Sequence, residues 1–175
     1  MATLSAVVNE LRRHVPRSIL VTGPQRAGTT IGGHIVAQEL GYQYVDEWSI
    51  DVHSVEKARE FLLQDKVVVQ APALCSVADR LGCLVVIMRR DLSEIRASEE
   101  RISWRSNEAG ELAKYGLTAE HGQIADLKYR LFDALQKPYC VSFDLDYHTL
   151  AGHPLWVESQ ERVKFGPRQW QAGDS

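Results

Sequence analysis

The run Gly23-Pro24-Gln25-Arg26-Ala27-Gly28-Thr29-Thr30 holds the residues of this chain best suited to chemistry. Glycines at both ends let backbone amides approach an anion closely. A helix starting at Gly28 would aim its N-terminal amides and its dipole at the same spot. Gly23, Gln25, Arg26, Ala27, Gly28, Thr29 and Thr30 are therefore the expected phosphate-binding residues. Thr30 occupies the hydroxyl position that ligates Mg²⁺ in loops of this spacing, and Thr29 stands where those loops carry lysine. The expected replacement cation is Arg26, which stays charged and can grip two phosphate oxygens at once.

Two further groups have chemical potential. Asp46 and Glu47 follow a short apolar stretch. Asp46 is expected to orient or deprotonate an acceptor hydroxyl, and Glu47 to hold metal or substrate, although a cap or loop carboxylate would look the same. Trp48, next along, could stack on an acceptor ring or belong to a core or lid. The second group is Arg89, Arg90, Arg96, Arg101 and Arg105. Arg101 and Arg105 are four residues apart, so a helix would place them on one face. Converging guanidinium groups would neutralise a transferring anionic group. The interleaved Glu94, Glu99 and Glu100 could instead pair with them on a solvated helix. The six histidines show no metal-ligand spacing.

These residues need elements to position them. Short apolar runs at 18–22, 42–46, 66–70, 83–88 and 139–145 read as strands, with 83–88 expected to be central and buried on both faces. Helical patterns fall at 28–40, 55–64, 73–81, 91–104 and 118–136, with residues 1–15 as a short amphipathic helix. Residues 106–116 look polar and loop-like. This alternation predicts an α/β fold of three layers, a five-stranded, mostly parallel sheet with helices on both faces. Ligands in such sheets bind beyond the carboxyl ends of the strands, and the 23–30 loop is the first such end.

The Arg26-Ala27-Gly28-Thr29-Thr30 run resembles the phosphosulfate loop of sulfotransferases. It is also similar to loops of phage P-loop kinases with a deviant Walker A motif, which act on nucleotides or modified bases, 5-hydroxymethyluracil in DNA among them. Both resemblances imply one P-loop superfamily, over approximately residues 18–145. The kinase resemblance implies ATP and Mg²⁺, a base at Asp46, and a lid with Arg101 and Arg105. The acceptor would be a nucleotide, a modified DNA base or a small metabolite. The sulfotransferase resemblance implies the sulfate donor PAPS without metal, its 3′-phosphate held by Arg90 and by Ser98 eight positions on. Where that family places its catalytic histidine, this chain has Gln70-Ala71-Pro72. ATP-dependent phosphoryl transfer is the leading expectation, sulfuryl transfer the alternative, and a nucleotide-binding module without transfer activity a second alternative.

Composition sets the outer bounds. The chain of 175 residues suits a single domain, with a core at about 18–150 and a tail at 152–175 whose aromatics suggest docking onto the domain or a partner subunit, as in a homodimer. A net charge of −3 gives no global basic field, so a DNA acceptor would need a local patch, drawn from residues 89–105 with Lys114 and Lys128. No apolar run reaches membrane-spanning length. Three scattered cysteines fit reduced thiols, and the expected location is cytoplasmic.

Overall fold

The computed structural model describes residues 2–102 and 122–156. Its centre is a sheet of five strands, β1 (Ser18–Thr22), β2 (Gln43–Asp46), β3 (Val67–Gln70), β4 (Leu84–Arg89) and β5 (Ser142–Asp146), in the order β2-β3-β1-β4-β5. Every pairing is parallel. Such a sheet must be covered on both faces, which is why its inner strands are continuous apolar runs. Side chains alternate across it. Ile19, Val21, Val68, Val86 and Met88 join one core, while Leu20, Val69, Val85 and Ile87 join the other.

The first core is closed by α1 (Leu4–His14) and α2 (Thr29–Leu40), which supply Val7, Leu11, Ile35 and Val36. The second is closed by α3 (Val55–Phe61), by 3₁₀ turns at Pro72–Arg80, and by Phe132, which follows α5 (Gln123–Leu131). The arginine-bearing helix is α4 (Leu92–Arg101), capped by the Asp91 side chain on the Ser93 amide. The arrangement is the three-layer α/β fold expected from the sequence.

Some local expectations change. The middle of the sheet is β1, and β4 lies beside it, because the chain crosses over β1 between β3 and β4. Both strands are buried along their length. The stretch from Pro72 to Arg80 is 3₁₀ turns rather than α-helix, with a break at Val77. The helix expected over 118–136 is α-helical over Gln123–Leu131 and widens to a π turn at Phe132–Gln136; its first residues lie outside the described ones. Residues 106–116, Arg105, Lys114 and the tail beyond 156 also lie outside them. Ala2 pairs in parallel with Leu145 and covers part of the β5 edge. No helix among the described residues is long and apolar enough to cross a membrane.

Candidate functional site

The connection leaving β1 runs towards β2, whereas those leaving its neighbours β3 and β4 run the other way, so the strand order reverses at the carboxyl end of β1, where such sheets bind ligands. The loop from Gly23 to Thr29 starts there. Gly23 has a φ of 141°, and a Cβ on it would come within 3.0 Å of the Met88 carbonyl. Gly28 has a φ of 91°, and a Cβ there would lie 2.4 Å from the Tyr147 ring. Close packing on β4 and on the turn after β5 thus demands glycine at both ends. Gly28 begins α2, and no side chain caps that end. Its first amides are the orphan donors of a helix start, which suit an anion.

Arg26 is held in the left-handed region, with a φ of 66°. That conformation costs a residue with a Cβ about 1 kcal/mol or more, and such strain persists where the surroundings enforce it. Here they do. The Arg26 Nε and Nη2 donate to Ser98 Oγ at 3.1 and 3.0 Å, and its carbonyl accepts from Arg90 Nη1 at 3.0 Å. Arg90 also donates to Glu94 at 3.0 Å and lies over the Tyr147 ring, 4.2 Å from its centroid. Its backbone amide donates to the Tyr129 hydroxyl at 3.1 Å, and that hydroxyl donates to the Met88 carbonyl at 2.9 Å. Burial lowers the Arg26 pKa, and the nearby charges of Arg101 and Arg90 lower it further. Three guanidinium groups thus crowd the β4 side of the loop. A cleft of about 330 Å³ opens beside them, lined by Arg90, Leu92, Tyr129, Asp146 and His148 among others.

The β3 side is built differently. Thr29, at the usual lysine position, is buried, and its Oγ1 accepts from Gln70 Nε2 at 3.0 Å. The Tyr44 hydroxyl lies 3.4 Å from Gln70 Oε1 and 3.1 Å from Asp46 Oδ2. Burial raises the Tyr44 pKa, and the Asp46 charge adds to it, so this phenol stays a donor. His34 stacks on the Tyr44 ring at 3.6 Å between centroids and fixes its plane. The single Tyr44 proton is shared between two acceptors, with Asp46 the nearer, and Gln70 and Tyr44 place a line of polar contacts between the loop and Asp46. Asp46 is in register with Gln70, and Gln70 with Val21, so Asp46 stands two strand spacings from β1, roughly 10 Å. Asp46 also accepts from the Trp48 amide at 3.1 Å, so the cap role and a site role coexist. Trp48 itself is 82% exposed.

The remaining expectations divide. Arg89 is drawn to Asp144 and Asp133, away from the loop, and Arg96 pairs with Glu100. Arg101 is exposed at the end of α4, near enough to act on Arg26. Thr30 is exposed on the first turn of α2. Glu47 reaches the Ala73 amide at 3.4 Å. Among the described residues, no three His, Cys, Asp or Glu side chains group as a metal site, and β3 and β4 end in Gln70 and Arg89 rather than a carboxylate. The residues that would serve Mg²⁺ are thus Thr30 and the carboxylates one strand further out, Asp46 and Glu47.

Lys128 was expected only as part of a local basic surface. It reaches from α5 to the loop, where its Nζ donates to Gln25 Oε1 at 3.0 Å. Nothing in the spacing of two residues so far apart in the chain could have indicated this. Tyr44 and Gln70 had a weaker signal, as polar groups at the ends of otherwise apolar strands.

No family model matches the chain, and no curated protein matches it at a significant level.

Proposed function

We propose that this chain is a nucleotide-dependent group transferase that moves a sulfuryl group from PAPS to an acceptor hydroxyl. The observation that supports the reading is the arginine and serine cluster beside the loop, taken as a second anion site. On the β4 side the Arg26 side chain bonds Ser98 and the Arg90 side chain bonds the Arg26 carbonyl, so both guanidinium groups flank the loop. One nucleotide with two separated phosphates, at the 5′ and 3′ positions, satisfies both sites. A contiguous triphosphate leaves one of them unused.

In this reading the loop amides and Thr30 take the 5′-phosphosulfate. Arg90 and Ser98 take the 3′-phosphate, and Arg26 bridges the two. Asp46 accepts the proton of the acceptor hydroxyl as its oxygen attacks sulfur. The bond from sulfur to the bridging oxygen breaks, and the nucleotide leaves as a bisphosphate. Tyr44 orients the carboxylate for that role. Most of the rate comes from positioning and charge neutralisation, both of which fixed cations supply.

A second reading, ATP-dependent phosphoryl transfer, draws on the exposed Thr30 hydroxyl and on Asp46 and Glu47 as oxygen ligands for Mg²⁺. The test is turnover by the full chain. Sulfur-labelled PAPS in EDTA and γ-labelled ATP with Mg²⁺ are each incubated with phenols, nucleosides, nucleotides and 5-hydroxymethylated DNA. Label transfer from PAPS without metal is the expected result. Transfer from ATP alone would replace the first reading with the second. Nucleotide binding without transfer from either donor would leave a binding module.

A further inference from the structure

Lys128 projects from α5, whose Tyr129 meets the Arg90 amide, across the loop to the segment that follows β3. Its Nζ donates to Gln25 Oε1 at 3.0 Å and to the Pro72 carbonyl at 3.4 Å. Gln25 is the loop residue next to Arg26, and Pro72 follows the end of β3. The ammonium therefore stands over the ends of β1 and β3, between the loop and the strand that leads to Asp46.

The position has a consequence for charge. Thr29 fills the place of the usual lysine and is tied to Gln70. Arg26 is turned towards Ser98. Neither puts a cation on the Asp46 side, where the transferred group must lie if its acceptor is held at Asp46. Lys128 does, and its four-carbon stem lets the ammonium shift to follow a moving charge.

We infer that Lys128 is a catalytic residue that binds the transferred sulfuryl or phosphoryl group itself, supplying from α5 the cation missing at position 29. The inference rests on the proposed group transfer. It predicts a division of labour in which Arg26 and Arg90 hold the nucleotide, and Lys128 holds only the group that leaves it.

The test compares donor with product. Binding of PAPS and of 3′-phosphoadenosine 5′-phosphate is measured by calorimetry on the full chain for wild type, Lys128→Met, Lys128→Arg and Arg90→Ala. Lys128→Met keeps most of the stem and removes the charge. It is expected to weaken PAPS by about tenfold or more, to leave the product nucleotide unchanged, and to lower kcat; Lys128→Arg recovers part of both losses. Arg90→Ala is expected to weaken both nucleotides alike. Equal weakening of both by Lys128→Met, or none, overturns the inference while the group-transfer reading stands. If the wild type binds ATP and ADP instead, the same contrast is read with that pair and only the sulfuryl reading falls. If it binds neither pair, both proposals fall together.

Discussion

The two flanks of the 23–30 loop are built from opposite materials. On the β4 flank Arg26, Arg90 and Arg101 lie near one another; Arg26 bonds the buried Ser98, and Arg90 bonds the Arg26 carbonyl. On the β3 flank, the uncharged Thr29, Gln70 and Tyr44 form a line of polar contacts that ends at one carboxylate. Neighbouring guanidinium groups repel one another, a repulsion that Glu94 offsets at Arg90 and a further anion would reduce, whereas the line from Thr29 to Asp46 on the β3 flank includes no cation to neutralise. Under the proposed transfer, the difference assigns phosphate to the β4 flank and the acceptor hydroxyl to the side of Asp46.

The contrast can be broken from either flank, and the acid side gives the largest expected effect. Asp46→Asn keeps the shape and removes the base. Turnover is expected to fall by about a hundredfold or more, with nucleotide affinity unchanged. If affinity falls with the rate, the two flanks are not separate.

On the cation side, Arg26→Gly removes the clamp and the backbone strain together. Nucleotide affinity is expected to drop by roughly tenfold or more, and urea unfolding is expected to show Arg26→Gly more stable than Arg26→Ala, which loses the same side-chain bonds, by about 1 kcal/mol. Equal stability of the glycine and alanine variants would mean that the Arg26 conformation is not strained.

Tyr44→Phe sharpens the comparison by removing one hydroxyl from the β3 flank without touching a charge. A rate loss of up to about tenfold is expected, with unchanged nucleotide binding and a stability loss of about 1 kcal/mol. Steady-state kinetics and urea unfolding read the two effects.

The smallest effect lies outside both flanks. Burial pulls the Asp144 pKa up, but Lys137 and Arg89 outweigh it and hold the carboxyl below its ordinary value. Its contribution to stability is then complete above the unfolded carboxyl pKa of about 3.9, and is lost as pH falls through the lower folded value. Asp144→Asn is expected to lower the melting temperature at pH 7, to match wild type in the most acidic range where both remain folded, and to bind nucleotide normally. A matching loss of nucleotide affinity would place Arg89 in the clamp.

How much of this was legible in the sequence follows from the range of each interaction. The strands showed as apolar runs because a parallel sheet is buried on both faces, and the loop showed because glycine is required at φ 141° and 91° by close packing. Arg90 and Ser98 were marked only by the resemblance to sulfotransferases, and the fold brings both to Arg26. What stayed hidden was tertiary. That Arg89 turns to Asp144 while Arg90 turns to the loop depends on where β5 lies. The meeting of Lys128 with Gln25 depends on how α5 crosses the sheet, which no local pattern records. The break at Val77 shows propensity overridden by the path from β3 back to β4.

The claim at the centre is that the loop and its β4 flank form two anion sites for one nucleotide. Calorimetric titration of the full chain in EDTA with 3′-phosphoadenosine 5′-phosphate and with adenosine 5′-phosphate tests it directly. The account predicts that the bisphosphate binds at least about tenfold more tightly and that Ser98→Ala with Arg90→Ala removes the difference. Equal affinity for the two nucleotides, or binding that appears only for ATP with Mg²⁺, would contradict it.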